Sequence, residues 1–194
     1  DRDRIMANQF DVTIIGTGPG GYVCAIRAAQ LGLTVAVVEK RATHGGTCLN
    51  VGCIPSKALL ESTEHFHSAR EELGRHGIST GEVRMDVAKM LARKDKIVSG
   101  LASGIGVLFA QNKVESVAGT ARLVPGGRVE VAPLGGGPAT TVTTSHILIA
   151  TGSLPRDIDA VPVDGQLVVD STGALDFPEV PERLGVIGAG VIGL

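Results

Sequence analysis

With 194 residues, 43% of them hydrophobic, the chain is long enough for one sizeable core, or for one core and part of a second. Eighteen Lys and Arg against 20 Asp and Glu leave a formal net charge of −2, without the basic stripe of a nucleic-acid binder. No apolar run reaches the length of a membrane span, and the opening Asp1-Arg2-Asp3-Arg4-Ile5 is too polar for a signal peptide; Met6 reads as the natural start.

Residues 11–15 (Asp-Val-Thr-Ile-Ile) predict a short buried strand. Gly16-Thr-Gly18-Pro-Gly20-Gly21 follows at once. A helical pattern then runs from Tyr22 to Leu31 and ends at Gly32, and residues 34–39 predict a second buried strand. This is a strand–turn–helix–strand unit of the length a parallel crossover needs. Residues 40–53 form a Gly-rich connection. Helices are predicted over residues 55–74 and 86–110, the second with Val87, Met90, Leu91, Lys94, Val98, Leu101, Ile105 and Leu108 on one stripe, which suits a packed helical hairpin. Residues 114–131 and 140–144 read as short antiparallel strands, with turns at Pro125-Gly-Gly127 and Gly135-Gly-Gly-Pro138. Residues 147–152 read as another buried strand. The stretch 153–181, with Pro155, Pro162, Pro178 and Pro181, reads as a connection. Leu184-Gly-Val-Ile-Gly188 opens a new strand, followed by Gly188-Ala-Gly190-Val-Ile-Gly193. The chain thus stops inside a second strand–turn–helix unit, as a truncation of a longer protein would.

Gly16, Gly18 and Gly21 have the G-x-G-x-x-G spacing of a dinucleotide turn: the first for the tight turn, the second for close approach of a pyrophosphate, the third for helix-on-strand packing. The helix start behind it offers N–H groups and a partial positive charge to phosphates. Glu39 ends the next strand, where a carboxylate accepts ribose hydroxyls and disfavours a 2′-phosphate. Cys24 sits on the intervening helix and is expected to face the sheet as a small buried hydrophobe.

Three cysteines are too few for a secreted disulfide scaffold, and a close pair in an intracellular chain is more often redox-active or metal-binding. Cys48 and Cys53 are that pair. The competing ligand set, Cys48, Cys53, His65 and His67, lacks the spacings of structural zinc sites, and His65 and His67 point to different sides of a helix. In a straight helix residues five apart lie about 8.6 Å apart between Cα atoms, whereas a disulfide needs less than about 7 Å. A Cys48–Cys53 bond therefore requires a distorted segment, which Asn50 and Gly52 permit. Such a bond is easier to reduce than a relaxed one. Pro55 fits the first turn of the following helix, whose start favours a thiolate, and Lys57 lies one turn beyond Cys53.

Gly45-Gly-Thr-Cys-Leu-Asn-Val-Gly-Cys-Ile-Pro-Ser-Lys57, after such a glycine turn, resembles the pyridine nucleotide–disulfide oxidoreductases from Phe10 onward. The Ile54-Pro-Ser-Lys57 ending is closer to the dihydrolipoamide dehydrogenases than to glutathione reductases, with mercuric reductases also similar. The resemblance implies an α/β fold: a Rossmann-like FAD-binding domain with a parallel sheet, an inserted helical hairpin and a small antiparallel meander. It divides the chain into a tail (1–9), an incomplete FAD-binding domain (10–154) lacking its returning segment, a connection (155–182) and the start of an NAD-binding domain (183–194). It implies that Gly16, Gly18, Gly20 and Gly21 hold the FAD pyrophosphate, with Glu39 and Lys40 at the adenosine ribose. Gly46, Thr47 and Cys48 would line the flavin, Cys53 would form the charge-transfer thiolate, Cys48 the interchange thiol, and Lys57 would sit near the flavin. Gly119 and Ala121 would meet the adenine end, Thr151, Gly152 and Ser153 would make a second FAD contact, and Gly188, Gly190 and Gly193 would begin the NAD site. His44 is given no role. The implied activity is reoxidation of protein-bound dihydrolipoamide with NAD+, in a homodimer serving lipoyl domains of 2-oxo-acid dehydrogenase complexes or the glycine cleavage system. The implied compartment is the bacterial cytoplasm or the mitochondrial matrix. The acid–base residues of that chemistry would lie beyond Leu194. A non-catalytic FAD-binding module with a structural disulfide is the contrasting reading.

Overall fold

A computed structural model describes residues 8–193, so most of the expected tail, Met6 included, and Leu194 lie outside them. The chain forms two compact units. One comprises the residues up to Asn50 with Ser99–Ser153; the other comprises Val51–Val98 and the residues from Leu154 onward.

The first unit is built on one six-stranded sheet. Its strands are β1 (Gln9–Ile15), β2 (Val35–Glu39), β3 (Glu115–Ala118), β4 (Thr120–Val124), β5 (Arg128–Ala132) and β6 (Thr140–Ile149), in the order β3-β2-β1-β6-β5-β4. β3, β2, β1 and β6 run parallel; β6, β5 and β4 alternate in direction. β2 is Val-Ala-Val-Val-Glu, buried along its whole length, as a central parallel strand must be. Helix α1 (Pro19–Gln30) carries Pro19 in its first turn and returns the chain from β1 to β2. It buries Gly21, Ala25 and Ala28 at spacings of four and three. Phe10, Ala36, Val38, Val129, Val131 and Val142 form the core cluster.

Two strand expectations change. The stretch after the long helix is not wholly antiparallel: β3 pairs parallel with β2, because a strand delivered by a helical crossover runs the same way as the strand before it. The runs 140–144 and 147–152 are one strand, ending at Ile149. Its start pairs antiparallel with β5 and the stretch from Thr143 pairs parallel with β1, so the meander continues the main sheet. Cys24 is half-buried and lies beside the packing face of α1, in an apolar surface depression with Val23, Arg27 and Leu31.

Helix α2 (Gly46–Val51) is followed by α3 (Cys53–His67), which continues through one π turn (Ser68–Glu72) and one 3-10 turn (Leu73–His76). The expected single helix to residue 74 thus loosens before its end. Helix α4 (Val87–Gln111) is close to its expected span. In the second unit Arg93 of α4 donates to Ala58 O of α3 at 3.0 Å and pairs with Glu61, which ties the hairpin. Lys94, 4% exposed, pairs with Asp176 and Asp95 and donates to Leu175 O at 3.1 Å, holding a 3-10 turn at Gly173–Asp176. Burial alone would lower the Lys94 pKa; hydrogen bonds to Asp176 and Asp95 outweigh it and raise it above 10.5.

The α4 stripe also shifts. Lys94 and Ile105 are buried as expected, but Leu101 and Leu108 are exposed, and Ala102 and Phe109 are buried in their place. A stripe chosen at steps of three and a half residues drifts off the contact face of a straight helix, which turns every 3.6. No strand forms at 184–188: Leu184, Val186 and Ile187 are exposed, and a strand exists only where another pairs with it.

Candidate dinucleotide crevice and cysteine pair

β1, β2, β3 and β6 are parallel and end at Ile15, Glu39, Ala118 and Ile149, so their carboxyl ends share one edge of the sheet. Ligands of open parallel sheets bind at this edge. There the chain brings together residues far apart in sequence. Gly16 turns at φ +97°, and a Cβ on it would stand 2.3 Å from Ala150 O, beside Thr151. Gly46, at φ +59°, begins α2 against the first turn: a Cβ there would stand 2.5 Å from Gly18 Cα. Gly45 N–H donates to Thr17 O at 2.9 Å, and Gly119 N–H to Glu39 O at 2.8 Å. Thr47 Oγ1 reaches to within 3.5 Å of Ser153 O. Gly16, Gly18, Gly46, Thr47, Glu39, Gly119, Thr151 and Ser153 are thus neighbours in one crevice. Lys40 is exposed next to Glu39, and the Ala121 side chain packs on the core cluster.

The crevice fits a dinucleotide on its own features. Two glycine turns touch backbone to backbone, so side chains cannot fill the cradle. The N-cap of α1, Gly18, has no side-chain cap and its first turn no acid, which leaves its positive end to an anion. A carboxylate stands at the end of β2. Glu39 is 6% exposed. Its Oε2 accepts from Thr17 N–H at 2.8 Å and from Thr17 Oγ1–H at 2.6 Å, and its Oε1 accepts from Arg41 N–H at 3.0 Å. Burial would raise its pKa, but these hydrogen bonds, with that of Lys40 N–H, prevail and hold it below 4.5.

The second glycine turn repeats the first. Gly188 has φ +109°, Gly193 N–H donates to Gly190 O at 3.0 Å, and a Cβ on Gly193 would stand 1.9 Å from Gly188 O. In the first turn Gly21 N–H donates to Gly18 O at 2.9 Å, and a Cβ on Gly21 would also stand 1.9 Å from Gly16 O.

Cys48 is half-buried in α2, and Cys53, exposed, is the first residue of α3. Between them Gly52, at φ −147° and ψ −114°, leaves helical geometry. The helix is therefore interrupted between the two cysteines. Pro55 is buried in the first turn of α3, where no N–H is missed, and Lys57 is exposed one turn on. Asn50 ties α2 to the loop before it: Nδ2 donates to Gly46 O at 2.8 Å and His44 O at 3.0 Å, while Oδ1 accepts from Thr43 at 2.8 Å. His65 and His67 are exposed on α3, and among the described residues no group of three His, Cys, Asp or Glu could hold a metal ion. No helix of the described residues is long and apolar enough to cross a membrane.

Sequence reasoning missed Thr17 and Ser116, gave His44 no role, and took Asn50 only as a residue that permits a distorted segment. Thr17 carried a signal: a hydroxyl between fingerprint glycines, 22 residues before the acid that ends the next strand. His44 and Ser116 are joined only by the fold.

The sequence profile of pyridine nucleotide-disulphide oxidoreductases matches residues 10–194. The chain belongs to that family. Members of this family use FAD and NAD. The chain is 52% identical to a dihydrolipoyl dehydrogenase of Cupriavidus necator, over 97% of its length and 41% of that protein's. It is 51% identical to a leghemoglobin reductase of Vigna unguiculata (97% and 36%) and 49% identical to the mitochondrial dihydrolipoyl dehydrogenase 1 of Arabidopsis thaliana (97% and 37%). Among solved structures it is similar to the HOCl-induced flavoprotein disulfide reductase RclA from Escherichia coli, with a TM-score of 0.76 at 28% identity, covering 94% of this chain and 38% of that one. The chain spans about two-fifths of the length of these relatives.

Proposed function

We propose that the whole protein is an FAD-dependent dihydrolipoamide dehydrogenase that works through a Cys48–Cys53 disulfide. The observation that carries it is the abutment of Gly46 on Gly18: the cysteine-bearing helix α2 starts on the dinucleotide turn itself. The names of relatives near 50% identity support the substrate class.

In this reading Gly16, Gly18, Gly20 and Gly21 with the α1 start bind the pyrophosphate, and Glu39 accepts the adenosine ribose. Lys40 and Lys57 supply positive charge, and Gly119, Ala121 and Thr151–Ser153 close the remaining sides. Cys48 is the interchange thiol. Its sulfur is attacked by one thiolate of dihydrolipoamide; the second substrate thiol displaces it, leaving lipoamide oxidised and Cys48 and Cys53 reduced by two electrons. Cys53, exposed at the N-terminus of α3, is the charge-transfer cysteine. FAD held in the crevice would supply a two-electron relay from the reduced cysteine pair to NAD+, which the turn of Gly188, Gly190 and Gly193 would hold. Residues 10–154 are then FAD-binding, 155–182 connecting and 183 onward NAD-binding. The partners are lipoyl domains, the assembly a homodimer, and the compartment the bacterial cytoplasm or the mitochondrial matrix.

The test is NADH formation by the full-length protein with dihydrolipoamide, against glutathione, mercuric ion and leghemoglobin as alternative substrates. Dihydrolipoamide is expected to lead by at least tenfold, Cys48→Ser to abolish turnover, and Cys53→Ser to abolish the long-wavelength absorbance band seen on mild reduction. A preference for another substrate would move the protein elsewhere in the family, and bound flavin without the long-wavelength band on mild reduction would favour a non-catalytic FAD-binding module.

A further inference from the structure

His44 carries side-chain partners on two other elements. Its Nδ1 lies 3.2 Å from Thr17 Oγ1 and its Nε2 lies 3.3 Å from Ser116 Oγ on β3. Its ring meets Phe109 of α4 edge-on, at 4.9 Å between centroids and 72° between planes.

The protons of this chain of contacts can be assigned. Thr17 Oγ1 has one hydrogen, and it goes to Glu39 Oε2 at 2.6 Å, because an ionised carboxylate only accepts. Toward His44, Thr17 Oγ1 is then the acceptor, so Nδ1 bears the hydrogen. In the neutral ring Nε2 is bare and accepts from Ser116 O–H. Burial lowers the His44 pKa, and the Glu39 charge offsets this only in part, so the neutral ring prevails near pH 7. The order is Ser116 to His44 to Thr17 to Glu39, each donating to the next. At its end Oε2 holds both Thr17 donors, at 2.8 and 2.6 Å, whereas Oε1 holds Arg41 N–H at 3.0 Å and is the oxygen left for a further donor.

We infer that His44, as the Nδ1–H tautomer, is a positioning residue for nucleotide binding: it keeps the Thr17 hydroxyl on Glu39 Oε2 and so presents Oε1 to a ribose hydroxyl. This rests on the reading of the crevice as an FAD site, and it adds a residue that the glycine turn and the terminal acid do not contain. An apolar side chain at position 44 would fill the same space beside Phe109 but leave Thr17 Oγ1 without the second partner that fixes it from the other side.

The experiment uses the full-length protein stripped of flavin. Nitrogen-15 NMR of the wild-type apoprotein is expected to show Nδ1 protonated and Nε2 bare. Titration with FAD is expected to show binding about five- to tenfold weaker in His44→Leu, the loss of one hydrogen bond to a charged relay. His44→Asn, whose Nδ2 can donate to Thr17, is expected to recover most of that loss. The inference is overturned by an Nε2–H tautomer, by His44→Leu binding FAD as tightly as wild type, or by Asn rescuing no better than Leu. Should His44→Leu fail to fold, the tautomer and the Asn variant decide. Wild-type protein that shows the Nδ1–H tautomer but binds no FAD would overturn the flavin reading and leave the proton assignment standing.

Discussion

Glu39 and His44 respond to acid in opposite senses of charge, yet both weaken the fold as pH falls. Glu39 has its pKa lowered from 4.5, so it contributes stability above that value and loses it as pH drops through the lower folded value. His44 has its pKa lowered from 6.5, so below that value the unfolded chain takes up a proton that the folded chain resists, and stability declines until the folded ring also protonates. Denaturant melts at a series of pH values are expected to show two descents in wild type. The upper one should vanish in His44→Leu, and the lower one should shrink in Glu39→Gln, the remainder coming from Glu61, Asp86 and Asp164, whose hydrogen bonds also lower their pKa values. Gly46→Ala tests the cradle by sterics: with a positive φ and a neighbour 2.5 Å away, it should cost roughly 1–3 kcal/mol and lower the flavin content of purified protein. The glycine spacing and the terminal acid were legible at this scale because each follows from local chain geometry. The roles of Thr17 and Ser116 were not, because their partners are 22 and 72 residues away.

At the scale of elements, α4 shows what periodicity can and cannot decide. Its existence and ends follow from a long apolar repeat, but its buried edge depends on how the helix rolls against its neighbours. Ala102, Ile105 and Phe109 face inward, and Leu108 is 42% exposed. Phe109→Ala should therefore cost about 3–5 kcal/mol by cavity formation, and Leu108→Ala under about 1 kcal/mol, measured by chemical denaturation. Phe109→Ala also removes the ring beside His44. Lys94→Met keeps the side-chain stem but strips Leu175 O of its donor. It should cost about 1–2 kcal/mol and speed hydrogen exchange across Gly173–Asp176. The direction of β3 was misread because strand propensity does not encode direction; the preceding crossover does.

For the whole molecule, regular hydrogen bonding is unevenly spread. The six strands lie within residues 9–149, while the described residues after 150 contain one short 3-10 helix. Native-state hydrogen exchange is expected to be slowest in β1, β2 and β6 and fastest beyond Leu154, with the turn at Gly188–Gly193 exchanging early despite its built shape. Fast exchange in β2 would contradict the burial of that strand. The parallel sheet was readable because the apolar runs, glycine turns and helix lengths agree with one another. The missing strand at 184–188 was not, because a strand needs a hydrogen-bonding neighbour that composition cannot name.

The glycine-rich turn is not uniformly fragile, and this matters to anyone building mutant libraries. Gly20 has no heavy atom within 4 Å of where a methyl would go, and it sits in the first turn of α1. Alanine there should be tolerated and should even gain about 0.5–1 kcal/mol of helix preference. Any loss of flavin affinity in Gly20→Ala would then report on the phosphate's path itself, uncontaminated by damage to the scaffold. In a selection for altered cofactor use, position 20 is the place to add bulk, while positions 16, 21 and 46 should be held constant.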